Sequence, residues 1–495
     1  MPWLDDLGIA FAIWLVAIAI FWALPRAMFP EPPGRNILLR FFGRFTRIVL
    51  LTSAAVPGLA SLHILNAATV GGLYALVFSA LWVRRNGFSI SALQRWFLVK
   101  IAQVENWYSR KAWKGCFQFR KQLLISQRGA YMLPILGTVA VVLLLITEVL
   151  LWWPIHNLRF AYPDAYVQLL RVGQLLRDAQ PFAQPLVLPS ICTSVASLGS
   201  VNAMQVIRFL PPLMGILLAM AGGVAMAAVF RSNWVGVFTS FVLGCYTQGS
   251  VVSEGLIGTF FVLLGIAFLA DYYHHLHRVS LYDALYVFAL LALSPPQAFP
   301  RQIALTLVLS CALGFVARSA HRWLPAYHLE PLLPLLLMAG VFIGAPPAFP
   351  HPHFLEYEAT ARESLRIAAT FEGQHWAIVA PTEQFSETFG LGQYEDLYQF
   401  VNEYHDRVGD PAFHFPYKTV LVFVEKRPFQ YFASEPTTVA FSILTDPTYR
   451  NYRSPAGRSS LELATMKLCE IYADVHPSRV FYEDKNLRIY EFSRD

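Results

Sequence analysis

The stretch RFAYPDAYVQLLRVGQLLRD, residues 159–178, sets a carboxylate shortly after an apolar run ending in Leu150-Leu151-Trp152-Trp153. Asp164 follows Pro163 and precedes a helical pattern of Val167, Leu170 and Gln174, with Leu169, Val172 and Leu176 nearby. Two compatible readings follow. Asp164 caps an amphipathic helix resting on the outer leaflet, or it is a general base at the membrane boundary, its pKa set by partial burial. Other chemistry is sparse. Cys116, Cys192, Cys245, Cys311 and Cys469 are scattered, with neither a CxxC pair nor a disulfide framework. His351-Pro352-His353 has metal-binding residue types but reads as a Pro-rich linker. Residues 349–495 hold no nucleophile elbow, no Gly-rich phosphate loop and no His pair at helical ligand spacing.

The elements that must position Asp164 follow from composition. Apolar residues make up 56% of the 495 and charged residues 14%, against about a quarter charged in soluble proteins. With a mean hydropathy of +0.45, the chain is expected to be an all-α polytopic membrane protein with a C-terminal extracytoplasmic α/β domain. A span needs about 20 apolar residues. Runs that approach this lie near 7–25, 47–65, 67–83, 130–153, 208–230, 234–248, 252–270, 281–295, 303–318 and 331–348, about ten in all.

Charge sets the expected sidedness. The net charge of +6 sits mainly beside the apolar runs, where it orients helices, so no nucleic-acid partner is expected. The loops 26–47 and 84–128 carry Arg35, Arg40, Arg44, Arg95, Lys100, Arg110, Lys111, Lys114, Arg120 and Lys121, which places both in the cytoplasm. The N-terminus MPWLDD then lies outside, and its acidic pair argues against a cleaved signal peptide. Counting onward puts Arg231, Arg278, Arg318 and Arg322 inside, and 154–207 and everything after 349 outside. The absence of any Asn-x-Ser/Thr sequon favours a bacterial inner membrane. On the cytoplasmic side, Ile90, Leu93, Phe97, Ile101, Val104 and Tyr108 share a helical face flanked by Arg95, Lys100 and Arg110, the pattern of an interfacial helix on anionic lipid.

Past residue 349 the periodicity changes. Glu356–Thr370 and Ser459–Val475 read as helices, His375–Pro381 and Thr419–Glu425 as short buried strands. Val480–Phe492 reads as two strands around a turn at Asp484-Lys485-Asn486. Three units result: a three-helix module with a basic cytoplasmic segment (1–128), a seven-helix core (129–348) and the external domain (349–495).

After Asp164 and its helix come PFAQPLVLPS, read as a proline-punctuated extended loop, and then SLGSVNAMQVIRFLPPLMGILLAMAGG, where Arg208, Pro211 and Pro212 open the next span. Further on, TQGSVVSEGLIGTFFVLLGIAFLA places Glu254 at the outer start of a Phe-rich span. This order resembles the GT-C superfamily of membrane glycosyltransferases over roughly residues 130–348. Ala165 stands where protein mannosyltransferases and aminoarabinose transferases carry a second acid, and no Asp-x-Asp pair of the oligosaccharyltransferase kind is present.

The resemblance implies transfer of a sugar from a polyprenyl-phosphate donor to an extracytoplasmic glycan, lipid or protein acceptor. Such a site needs cations for the lipid phosphate and a carboxylate opposite them for the acceptor proton. Asp164 is then the base, Arg208 and Arg301 the phosphate-binding cations, and Arg159 or Arg171 alternatives. Glu254 orients Asp164, binds a divalent cation such as Mg²⁺ or Mn²⁺, or stabilises the start of its own helix. Each arginine also reads as a headgroup anchor. The alternative function is a noncatalytic membrane scaffold, or a lipid or glycan transporter with a partner-binding external domain. A transporter requires repeats and polar groups within its spans.

Overall fold

The computed structural model describes residues 2–29, 37–86, 155, 160, 163–176, 187–246, 254–275, 278–293, 357–371, 376–380, 392–427 and 455–494. Among these the molecule is mostly helical with one small sheet. The expected spans at 130–153, 303–318 and 331–348, and the expected interfacial helix at 90–108, lie outside the described residues.

The chain begins with α1 (Pro2–Ile18), a π-helical turn at Ala19–Ala23 and α2 (Leu24–Met28). Pro25 explains the turn, because its ring clashes with the carbonyl one turn earlier and the wider π geometry makes room. Phe11, Leu15, Ile18 and Trp22 recur at helical spacing and are exposed, whereas Ala10, Ile13, Ala17 and Phe21 are buried. One stripe therefore faces lipid and the other faces protein.

Then come α3 (Ile37–Ser61), α4 (Ala67–Asn86), α5 (Pro163–Leu176), α6 (Val187–Gly199), α7 (Ala203–Phe230), α8 (Asn233–Tyr246), α9 (Glu254–His275) and α10 (Arg278–Ala292). Among the described residues, four helical segments are long and apolar enough to cross a bilayer: Asp6–Met28, Ala67–Arg84, Ala203–Phe230 and Ile257–His275.

Three sequence expectations need correction. The loop expected over 26–47 is helical from Ile37 onward. Arg40, Arg44 and Arg47 fall within α3, and two of them find partners: Arg44 Nε donates to the Phe29 carbonyl at 2.7 Å, and Arg47 pairs with Asp283. The extended loop expected around PFAQPLVLPS becomes α6 from Val187, whose residues Val187 through Ala196 are buried. Pro189 is tolerated because it sits in the first turn, where backbone N–H groups have no intrahelical acceptor anyway. Finally, α5 does not merely rest on a leaflet. Ala165, Gln168, Leu169, Val172 and Leu175 are buried, and its principal neighbours are α6, α7 and α3.

The closest packing joins α7 and α8. A Cβ added at Gly236 would lie 2.6 Å from the Gly223 carbonyl oxygen and 2.8 Å from Ala227 Cβ. Only glycine at these two positions lets the backbones approach so closely.

The α/β domain adds α11 (Glu358–Thr370), β1 (Trp376–Ala380), β2 (Gly392–Asp396), α12 (Leu397–Tyr404), β3 (Thr419–Glu425), α13 (Pro455–Val475), β4 (Ser478–Glu483) and β5 (Leu487–Ser493). The strand order is β2-β1-β3-β5-β4. β1 runs parallel to both β2 and β3, whereas β5 is antiparallel to β3 and β4. Alternate residues of the central strands face opposite layers. Trp376, Ile378, Leu421 and Phe423 pack with Ile367 and Phe371, while Val379, Val420 and Val422 pack with Phe400, Leu461 and Leu468. The β4–β5 turn is closed by Asp484, whose Oδ1 accepts from the N–H of Asn486 and of Leu487, both at 2.7 Å.

Candidate functional site

Asp164 is the second residue of α5, so it lies in the first helical turn and not at the cap. Pro163 before it has the fixed φ that suits a first helical position. A carboxylate in a first turn is favoured by the helix dipole by about 0.3–1 kcal/mol. Glu254 is the first residue of α9 and has the same relation to its helix. These acids open different helices, and α7 packs against both of those helices. Arg159 and Arg301 lie outside the described residues.

Arg208 is buried in the first part of α7. Asn202 caps this helix, its side chain accepting from the Met204 N–H at 2.9 Å. The Arg208 guanidinium is committed to the N-terminal helix: Nη2 donates to Asp6 Oδ2 at 2.9 Å and Nη1 to Asp6 Oδ1 at 3.4 Å. It also lies 4.8 Å from the centre of the Phe209 ring, and Trp14 Nε1 donates to the Phe209 carbonyl at 2.7 Å. Thus α1 and α7 are joined by a charge pair and an indole hydrogen bond one after the other. The expected phosphate cation is bound to a carboxylate of its own chain.

Sequence reasoning missed Gln168. It lies one turn beyond Asp164 in α5 and is buried, and its Oε1 makes no hydrogen bond among the described residues. The i, i+4 spacing was the available signal. It has company in the neighbouring helices. Thr52 Oγ1 on α3 shares a 2.7 Å hydrogen bond with the Tyr74 hydroxyl on α4, which donates to Ser194 Oγ on α6 at 3.4 Å. Ser53, Ser190 and Thr193 are also buried, and their hydroxyls make no hydrogen bond among the described residues. An uncharged polar seam therefore runs along α6 where it meets α3 and α4. Buried hydroxyls without partners are uncommon and call for water or another polar guest.

About a turn and a half before Thr52 on α3, Arg47 donates to the fully buried Asp283 of α10, with Nη2 to Oδ1 at 2.7 Å and Nε to Oδ1 at 3.1 Å. Arg47 also lies 5.6 Å from the Phe29 ring centre and 5.9 Å from that of Tyr286. Asp271 on α9 accepts from the Ser280 hydroxyl. These contacts tie α3, α9 and α10 together and leave Asp271 and Asp283 engaged.

In the α/β domain the chain passes from β1 to β2 on one side and from β2 across to β3 on the other, so the strand order reverses beside β1 and the carboxyl ends of β1 and β3 are where open sheets of this kind bind ligands. Side chains of the domain cover the end of β3 beyond its pairing with β1. Arg458 near the start of α13 forms a buried fork with Glu425 at the end of β3, with Nε to Oε2 at 2.8 Å and Nη2 to Oε1 at 2.7 Å. The Glu425 N–H donates to Glu462 Oε2 at 2.9 Å. Burial and the nearby Glu425 push the Glu462 carboxyl well above the usual carboxylate range, against the opposing pull of Arg458 and the Glu425 N–H. Burial also pushes the Cys469 thiol upward, which makes it an inert core residue.

No group of three or more His, Cys, Asp or Glu side chains suited to a metal ion occurs among the described residues. No protein-family model, curated protein or solved structure matches the chain.

Proposed function

We propose that the protein is a GT-C-like membrane glycosyltransferase, in which Asp164 accepts a proton from an acceptor hydroxyl or amide. The observation that carries this reading is the setting of Asp164: it opens a helix whose body is buried among membrane helices and whose next turn presents the buried Gln168. In this scheme the acceptor atom attacks the anomeric carbon and the carbon–oxygen bond to the lipid phosphate breaks. The phosphate leaves with the electron pair while the proton passes to Asp164. Arg301 and Arg159 hold the phosphate. Arg208, committed to Asp6, fixes the helix that packs against both acid-bearing helices. Glu254 orients the base or holds Mg²⁺ or Mn²⁺. The full arrangement has about ten spans in a bacterial inner membrane, with the N-terminus and α/β domain on the extracytoplasmic face.

The uncharged seam along α6 favours a second reading, a lipid or glycan transporter, because polar groups inside spans commonly line a path. One comparison separates the two. Asp164→Asn keeps the size of the side chain and removes its basicity. Reconstituted in vesicles with a radiolabelled prenyl-phosphate sugar, this variant is expected to transfer sugar about a hundred- to ten-thousand-fold more slowly, with donor binding and thermal stability retained. Wild-type transfer by the variant would remove the base from the mechanism. Passage of the labelled lipid across the bilayer without any glycosylated product would favour the transporter.

A further inference from the structure

Helix α11 touches two different bodies. Ala361 and Leu365 belong to the apolar cluster of the membrane helices, whereas Ala359, Ile367 and Phe371 pack under the sheet. Between these two faces stand Arg362 and Arg366, one turn apart, with side chains 53% and 59% exposed. The i, i+4 spacing puts both guanidiniums on one side of the helix.

Neither is a loose surface arginine. Arg362 lies 5.6 Å from the Tyr482 ring centre and Arg366 lies 4.8 Å from that of Phe481, both rings on β4. The buried carboxylate of Glu363 sits between them, with Oε1 accepting from Arg362 Nε at 3.1 Å and Oε2 from Arg366 Nη1 at 3.2 Å. Arg362 Nη2 also donates to the Tyr482 hydroxyl at 2.9 Å. Glu363 neutralises one of the two charges, and the rest of each guanidinium has no partner among the described residues. Such arginines have already given up rotamer freedom, so a planar bidentate contact to phosphate costs less than it would from free side chains.

The location selects the ligand. Ala361 and Leu365 of the same helix pack with the apolar cluster of the membrane helices, and this is the ground for assigning the two cations a ligand from the lipid headgroups. We infer that Arg362 and Arg366 form a clamp for a lipid phosphate in the leaflet that faces the α/β domain. The clamp goes beyond the transferase reading and does not depend on it, although a polyprenyl-phosphate donor is one lipid of this class.

The test is binding of a short-chain phosphatidate to the full-length protein in a zwitterionic detergent, followed by native mass spectrometry, with inorganic phosphate as the competitor. The double variant Arg362→Ala, Arg366→Ala is expected to weaken phosphatidate binding at least tenfold. The double lysine variant, which keeps the charge and loses the fork and the ring stacking, is expected to fall in between. Asp164→Asn is expected to bind like the wild type, so loss of the clamp and failure of the transferase chemistry are seen separately. Unchanged binding in the double alanine variant, wild-type binding in the double lysine variant, or displacement of the lipid by inorganic phosphate at equal concentration would each overturn the clamp. Should the alanine variant fail to fold, the lysine variant carries the test.

Discussion

Single residues in this chain take their character from burial. Glu462 shows it best, because its buried carboxyl, pushed above the usual carboxylate range, accepts the Glu425 N–H beside the Arg458–Glu425 fork. A carboxyl whose folded pKa is raised contributes stability that is complete below the ordinary Glu value of about 4.3 and is lost as pH climbs toward the higher folded value. Glu462→Gln keeps the acceptor and cannot ionise, so its melting temperature should exceed that of the wild type at pH 8 and match it near pH 4. Equal pH profiles of the two proteins, followed by circular dichroism, would mean that Glu462 is ionised in the fold. The sequence offered only a charged residue on a helix here. The Arg458 and Glu425 contacts join residues 33 apart, and no local pattern announces such a pairing. The same holds for Arg208. Its partner Asp6 was visible in MPWLDD, and only the packing of α1 on α7 makes the two one feature.

At the scale of elements, legibility followed periodicity. β3 was read with the bounds it has in the structure, and α13 and the β4–β5 hairpin were read within a few residues, because their apolar spacing is strong and their turn is rich in polar residues. β2 was missed because GQYED carries no alternation of apolar residues and depends on pairing with β1. α12 follows β2 directly and is only 8 residues long. α6 was hidden by three prolines at 181, 185 and 189, of which only Pro189 lies in the helix. Of the proposed site, the helices carrying Asp164 and Glu254 were legible, and the polar seam beside α5 was not, since Ser and Thr are scattered widely in membrane helices.

The contact of α7 with α8 supports a further prediction at this scale. Gly236→Ala would drive its new methyl group against the Gly223 carbonyl and Ala227. Overpacking of this kind costs about 1–3 kcal/mol, and a lower unfolding temperature in detergent should show it. Gly258→Ala, where no atom lies within 4 Å of the added carbon, serves as the control and should melt like the wild type or slightly above it.

At the scale of the molecule, the charge pattern predicts that a reporter fused after Asp495 is extracytoplasmic and a label within Lys111–Lys121 is cytoplasmic. Finding both on one side would overturn the orientation. On the same reading, removal of residues 356–495 should impair use of the acceptor more than binding of the donor lipid, as measured by transfer and by lipid binding in detergent. The pairing of Arg47 with Asp283 also bears on biogenesis. An aspartate entering a bilayer alone costs on the order of 3 kcal/mol, and Asp283 is fully buried within α10. Its counter-ion was synthesised 236 residues earlier, so if α10 spans the bilayer, as the apolar run near 281–295 predicts, α3 is expected to stay near the insertion machinery until α10 emerges from the ribosome. Loss of the Arg47 charge would then show first as nascent chains that fail to commit α10 to the membrane, before any finished protein exists to be destabilised.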